Sequence, residues 1–338
     1  MTPGRLGAFS ERRFHAWLRQ DARPSRGIPL ALGDDVAAIR LGGSSVALLT
    51  TDALVEGTHF LPGSPAREIG RAAVDASLSD VASKGGRPVA LLIDLLLPPS
   101  TAPQWARDVV GGAREEIRTW GGELVGGDTK PSATRTVVGT VLAEGDGRHL
   151  APRSGARPGD VLLTTGVVGR GGAAARALAA RGPTGSTLRG LLRIEPRLFE
   201  GRVLARYAHA MVDTSDGLAE AARLLADASG VRLEFDLGRL PFHPAVAALR
   251  RPSERESAAF YGGDYELLAA VPARSAAAAV RAVRRVGGTA TSIGTVRRGR
   301  GAFLLGRGTS RPMPAAGWNP FESVLPVPGR RNRPVSLK

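Results

Sequence analysis

The chain has 338 residues, enough for two domains that each bury a core. Its 43% hydrophobic and 23% charged content are those of a globular protein, no apolar run approaches the roughly 18 residues that cross a bilayer, and the lack of cysteine excludes disulfides, thiol catalysis and Cys-based zinc or iron–sulfur sites. The net charge of +15 raises nucleic-acid binding, but only Lys84, Lys130 and Lys338 are lysine, the arginines are scattered, and no basic strand with interleaved aromatics accompanies them, so nucleic acid is not the expected partner. The start of the chain, with Glu11, Arg12 and Arg13, lacks an apolar signal core, and a cytoplasmic protein is expected.

In chain order, Ser10 to Gln20 reads as a helix capped by Ser10, with Phe14, Trp17 and Leu18 on one face. Ser45 to Thr51 and Val89 to Leu97 read as strands, being apolar runs bounded by Gly or Pro. Between them Arg67 to Ser83 carries Ile69, Ala72, Ala73, Ala76 and Leu78 at near-helical spacing. A helix over Pro103 to Trp120 and a strand over Thr136 to Ala143 complete an alternating α and β first half. The Pro-, Gly- and Arg-rich stretch Ala151 to Pro158 marks a domain boundary, dividing residues 1–150 from 151–338. Beyond it the pattern predicts a strand at Asp160 to Thr165, a Gly-rich turn and an Ala-rich helix. A helix at Leu218 to Ala228, strands at Val231 to Phe235 and Glu266 to Val271, and a helix at Arg274 to Val286 follow. The tail from about residue 326 is rich in Pro and Arg and is expected to be mobile.

Six aspartate motifs sit among small, turn-forming neighbours: Gly33-Asp34-Asp35, Thr50-Thr51-Asp52, Leu78-Ser79-Asp80, Gly126-Gly127-Asp128-Thr129, Asp213-Thr214-Ser215-Asp216-Gly217 and Gly262-Gly263-Asp264-Tyr265. One Asp beside Gly is an ordinary turn or cap. Several that follow apolar strands are another matter, since ligand sites form at strand ends in α/β folds. Two carboxylates about 4 Å apart repel by about 4 kcal/mol at an effective dielectric near 20, so a converging cluster needs cations. Oxygen-only donors, Asp with Thr and Ser, suit Mg²⁺. Zinc fits poorly, because His15, His59, His149, His209 and His243 show no ligand spacing. Mg²⁺ with many carboxylates points to nucleotide phosphoryl chemistry, yet the chain has neither a Gly-x-x-x-x-Gly-Lys-Ser/Thr loop nor the protein-kinase motifs. Gly169-Arg170-Gly171-Gly172-Ala173-Ala174 satisfies a dinucleotide fingerprint, but no strand ending in an acid follows at the right distance, and tight turn packing explains the glycines.

These motifs, with Thr51-Asp52-Ala53-Leu54-Val55-Glu56-Gly57-Thr58-His59-Phe60 as the most specific piece, closely resemble the thiamine-monophosphate kinase family. Arg153-Ser154-Gly155-Ala156, Asp264-Tyr265-Glu266-Leu267 and Gly317-Trp318 continue the match in order over nearly the whole chain. The family sits in a superfamily with aminoimidazole ribonucleotide synthetase, and the alternative reading is another ATP-dependent synthetase of that superfamily acting on a phosphorylated small molecule. The resemblance implies a mixed α/β (α+β) two-domain fold, with an N-terminal domain whose strands form a barrel across a homodimer and a C-terminal α/β domain. It implies ATP and thiamine monophosphate as substrates and several Mg²⁺ ions. The ligands carried over are Asp35, Thr50, Thr51, Asp52, Asp80, Asp128, Asp213 and Asp216, with Asp80 and Asp128 central to catalysis. Gly127, Arg153 and Ser215 match nucleotide-contacting positions, and His59 and Trp318 match substrate-contacting ones. Gly263 stands where the family has Glu, so Asp264 is the candidate carboxylate facing the substrate. Lys130 and the Ser83-Lys84 pair also depart from the usual pattern and add positive charge near a phosphate site.

The expected mechanism follows from the acceptor. A phosphate monoester is largely dianionic at pH 7 and needs no general base, so catalysis reduces to positioning and charge neutralisation, with direct in-line transfer.

Overall fold

The computed structural model describes residues 14, 17, 25, 27–306, 308–319, 321, 325 and 326. The expected first helix and the basic tail lie outside the described residues, apart from Phe14 and Trp17, which are helical and stack at 5.7 Å, and positions 325 and 326.

Alternating apolar residues in the first half build a six-stranded sheet from β1 (Ala37–Gly42), β2 (Ser45–Val55), β3 (Arg87–Leu97), β4 (Glu123–Gly126), β5 (Thr129–Pro131) and β6 (Thr136–Asp146). The order is β1-β2-β6-β3-β4, and β5 resumes the edge strand where β4 stops, both running parallel to β3. The other pairs are antiparallel. One face of each strand is buried: Val46, Leu48 and Leu54 of β2, Leu91, Ile93 and Leu95 of β3, and Val137 and Val141 of β6 pack beneath α1 (Ala66–Ser83) and α2 (Pro103–Thr119). The two helices touch through glycines. A Cβ on Gly70 would lie 2.0 Å from the Val109 carbonyl, and one on Gly112 would lie 2.1 Å from that of Arg67. The opposite face of the sheet is open, and Ile39, Leu49, Leu92 and Leu142 there are 40–41% exposed.

The second half forms a seven-stranded sheet of β7 (Asp160–Thr165), β8 (Ala210–Asp213), β9 (Arg232–Asp236), β10 (Leu267–Pro272), β11 (Ala290–Arg297), β12 (Gly301–Gly306) and β13 (Thr309–Pro312). Its order is β13-β12-β9-β11-β7-β10-β8, antiparallel except where β12 meets β9. Seven further helices complete nine among the described residues: α3 (Arg170–Arg181), α4 (Gly185–Leu192), α5 (Leu198–Leu204), α6 (Leu218–Ser229), α7 (Pro244–Ala247), α8 (Pro252–Ala259) and α9 (Ala273–Arg285). β7, β8 and β10 are apolar on both sides because helices cover both. Leu162, Val212 and Leu268 pack toward α6, whereas Leu163, Met211 and Leu267 join the core that contains α1. α1 therefore packs against both sheets, and its C-terminal end comes to lie beside the end of β8. No helix of the described residues is long and apolar enough to cross a membrane.

Candidate active site

Three segments meet at that junction: the middle of β2, the last two turns of α1, and the turn after β8. The spacing in α1 puts Ser79, Asp80 and Ser83 on the side facing β2 and β8. Thr50 Oγ1 donates to Asp80 Oδ2 at 2.6 Å, and Ser79 Oγ donates to Asp213 Oδ2 at 2.7 Å. Ser215 Oγ donates to the other oxygen of Asp213 at 3.1 Å. Burial and the neighbouring charges of Asp213, Asp35 and Asp52 push the Asp80 carboxyl well above its usual range, against the pull of Thr50. Asp213 is pushed up to about 6, by burial first and by the Asp35 charge next.

The Gly33 to Asp35 turn closes the cluster from the other side. Lys84, just past α1 and only 1% exposed, puts Nζ at 2.8 Å from Asp34 Oδ1 and 2.7 Å from Asp35 Oδ2. Arg153 pairs with Asp35, and its backbone N–H and guanidinium donate to Asp34 Oδ2 and the Gly33 carbonyl, both at 2.9 Å. Burial alone would raise the Asp35 carboxyl, but Lys84 and Arg153 outweigh it and hold Asp35 well below the usual carboxylate range.

Two clefts open onto this floor. The smaller, of about 320 Å³, is lined by Thr51, Asp52, His59, Asp80, Arg170, Ser215, Asp216, Tyr261, Tyr265 and Trp318 among others. The larger, of about 780 Å³, runs past Gly33, Asp34, Asp35, Thr50, Thr51, Arg153, Asp216, Arg223 and Trp318. Thr51, Asp216 and Trp318 belong to both. In the smaller cleft the Trp318 ring lies 5.7 Å from Tyr261 and 6.2 Å from His59. Trp318 Nε1 and the Tyr261 hydroxyl are buried without a hydrogen-bond partner among the described residues, so the cleft holds two unused polar groups. His59 Nδ1 accepts from the Val55 N–H at 3.0 Å, which leaves the proton on Nε2, and burial lowers its pKa to about 4. Tyr265 adopts a left-handed backbone with φ of 55°, and its hydroxyl pKa is raised by burial and by the charges of Asp52, Asp213 and Asp216.

The structure thus brings Asp35, Thr50, Thr51, Asp52, Asp80, Arg153, Asp213, Ser215 and Asp216 together, with His59 and Trp318 on the wall. Gly127 and Asp128 are not in either cleft. They form the corner between β4 and β5, where a Cβ on Gly127 would sit 1.8 Å from the Ile93 carbonyl and Asp128 is paired with Lys130 at 2.6 Å. Asp94 holds this corner by accepting the Asp128 N–H at 2.7 Å. The corner is three strand spacings from β2, roughly 14 Å. Asp264 is also placed away from the cleft. It is 1% exposed, and its carboxylate accepts the N–H groups of Gly169 and Gly171 at 2.8 and 3.0 Å, tying down the start of α3. Sequence reasoning assigned no role to Ser79, Arg170, Tyr261 or Tyr265, and read Lys84 only as added positive charge near a phosphate site, not as the buried partner of Asp34 and Asp35. Arg170 and Tyr265 lay inside motifs already singled out, but nothing in their spacing shows that a helix start and a strained turn aim them into one cleft.

Among the described residues no three carboxylate or imidazole groups converge on one point. The donor set still fits Mg²⁺, which takes one or two carboxylates and fills its shell with water and phosphate oxygens. Burial first, and then the neighbouring carboxylates, raise Asp80 and Asp213, a cost that a divalent ion bound there would relieve.

Residues 33–144 match the family model described as AIR synthase related protein, N-terminal domain, and residues 157–306 match the corresponding C-terminal domain. The chain is 41% identical over 258 residues to the thiamine-monophosphate kinase of Halobacterium salinarum, covering 76% of this chain and 85% of that one. It is 31% identical to the Escherichia coli thiamine-monophosphate kinase over 79% of this chain and 84% of that one. Among solved structures, AaThiL complexed with AMPPCP and TMP superposes with a TM-score of 0.76 at 28% identity, covering 91% and 94% of the two chains. Escherichia coli HypE, a hydrogenase maturation protein, is more distant, with a TM-score of 0.65 at 25% identity over 80% and 86%.

Proposed function

The chain belongs to the thiamine-monophosphate kinase family of AIR synthase-related proteins, and from that premise we propose a direct phosphoryl transfer from ATP in the larger cleft to the phosphate of thiamine monophosphate in the smaller one. The observation that carries this reading is the common wall. Thr51, Asp216 and Trp318 face both clefts, so a donor on one side and an acceptor on the other meet over the same aspartates. AaThiL, complexed with AMPPCP and TMP, holds a nucleotide and a phosphate ester together on the same fold.

Asp52, Asp80, Asp213 and Asp216, with the hydroxyls of Thr50 and Thr51, would hold Mg²⁺, which when bound neutralises the phosphate charges that otherwise repel one another. The protein's own residues supply the rest. Arg153 fixes the Gly33 to Asp35 turn at the mouth of the nucleotide cleft. Arg170, held by the carbonyls of Asp264 and Arg193 at 2.6 and 2.9 Å, presents its guanidinium to the acceptor phosphate. Neutral His59 offers Nε2–H, and Trp318 and Tyr261 offer a ring face with one donor each to the acceptor's heterocycle. No side chain is needed as general base, because the acceptor oxygen is already ionised. The open apolar face of the first sheet forms a homodimer, closing the barrel expected of the family, and the enzyme works in the cytoplasm.

The test is incubation of the purified protein with ATP, Mg²⁺ and thiamine monophosphate, with the products separated by chromatography. Thiamine diphosphate and ADP in equal amounts are expected. Hydrolysis of ATP with no diphosphate formed would overturn the assignment of the acceptor.

A further inference from the structure

Lys84 is a charged side chain with almost no access to water, and lysine is among the residues least often fully buried unless paired. An ammonium has three N–H donors, and here each has a partner: Asp34 Oδ1 at 2.8 Å, Asp35 Oδ2 at 2.7 Å and the Met211 carbonyl at 2.8 Å. Lys84 is itself the C-cap residue of α1, and its ammonium is held by the Gly33 to Asp35 turn and by the β8 backbone at Met211. Asp35 is engaged on both oxygens, Oδ2 by Lys84 and by Ser83 at 2.7 Å, and Oδ1 by Arg153.

Charge is therefore compensated unequally across the site. Asp34 and Asp35 face two fixed cations, Lys84 and Arg153. Asp80 and Asp213 receive Thr50, Ser79 and Ser215, hydroxyls that donate hydrogen bonds without bringing charge. We propose that Lys84 is a built-in cation of the active site: it fills the place between Asp34 and Asp35 that a mobile cation would take, Asp35 anchors the Lys84 and Arg153 pair instead of binding metal, and Mg²⁺ is confined to the Asp80 and Asp213 side. This inference rests on the reading of the cluster as a Mg²⁺ phosphotransfer site. It removes Asp35 from the ligands the resemblance implies and makes Lys84 a positioning residue, since it acts through the Gly33 to Asp35 turn.

The experiment counts Mn²⁺ bound per protomer by electron paramagnetic resonance in the presence of AMPPCP, and follows thermal unfolding against Mn²⁺ and K⁺ without nucleotide. Three proteins are compared: the parent, Lys84→Met, and Lys84→Met combined with Asp35→Asn. Lys84→Met is expected to bind one further cation per protomer and to regain lost thermal stability as that cation is added. The double variant, with its charges balanced again, is expected to fold without added cation and to lose the extra site. The proposal fails if Lys84→Met binds no more Mn²⁺ than the parent and shows the parent's cation response. It fails equally if the double variant does not fold, because the ammonium would then matter for packing and not for charge. A parent protein that binds Mn²⁺ with AMPPCP but does not phosphorylate thiamine monophosphate would sink the functional assignment instead, leaving the comparison of the three proteins readable.

Discussion

Single side chains in the smaller cleft carry roles that their residue types alone do not reveal. Trp318 was expected from the resemblance to contact the substrate, and the structure adds that its Nε1 is buried without a partner among the described residues. Trp318→Phe keeps the ring and removes the donor, so the KM for thiamine monophosphate should rise about fivefold, the equivalent of about 1 kcal/mol for one hydrogen bond, while the KM for ATP stays within twofold or so. An equal change in both constants, measured by steady-state kinetics, would assign the indole to packing. His59 gives a prediction with a definite sign. Burial lowers its folded pKa from 6.5 to about 4, so folding disfavours the proton. The stability the neutral ring contributes is present above pH 6.5 and is lost as the pH falls from there toward 4. Ring C–H resonances of His59 should therefore show no titration in NMR spectra between pH 6 and 8, and a midpoint above 6 would remove it as a fixed Nε2–H donor.

At the scale of helices and strands, the contact between α1 and α2 decides the sign of a substitution. Alanine normally stabilises a helix interior by up to about 1 kcal/mol over glycine. At Gly112 the added Cβ would lie 2.1 Å from the Arg67 backbone carbonyl, and the overpacking cost of about 1–3 kcal/mol should win, so Gly112→Ala should lower stability in urea unfolding by about 1 kcal/mol or more. Gly111→Ala, one residue earlier, meets only the movable Arg67 Nη1 at 3.1 Å and should be neutral or stabilising. A destabilised Gly111→Ala would show that helix contact is not the cause. The same principle explains what could be read from the sequence. The helix Ala66–Ser83 was placed within a residue, because Ile69, Ala72, Ala73, Ala76 and Leu78 recur at helical spacing, whereas the strands Ser45–Val55 and Thr136–Asp146 were stopped early, at the Asp52 that interrupts the first and the Glu144 that interrupts the second. β1, β4, β5, β8 and the strands β11 to β13 were missed. Ala210–Asp213 is only four residues long, and Gly294 in β11 reads as a break, although it is needed because a Cβ there would lie 2.1 Å from the Glu234 carbonyl. The aspartate motifs exposed most of the site, whereas Lys84 and Tyr261 depend on long-range packing that no local pattern records.

For the whole molecule, the open face of the first sheet is the feature that a monomer does not explain. Leu49 and Leu142 are direct cross-strand partners there, and both are 41% exposed. A contiguous apolar face of this kind marks an interaction surface, so light scattering should give twice the chain mass, and Leu49→Glu with Leu142→Glu should give the chain mass itself. A monomeric parent at micromolar concentration would refute the expected homodimer. The wall common to the two clefts has a different consequence, one of fidelity. In the proposed arrangement, an empty smaller cleft would leave the terminal phosphate of a waiting nucleotide unshielded from water at the wall that Trp318 shares with the larger cleft. The acceptor then serves as a stopper as well as a reactant. A slow leak of ATP to water is expected without thiamine monophosphate and should fall when it saturates the smaller cleft. Trp318→Ala should open that shared wall and raise the ratio of inorganic phosphate released to diphosphate made.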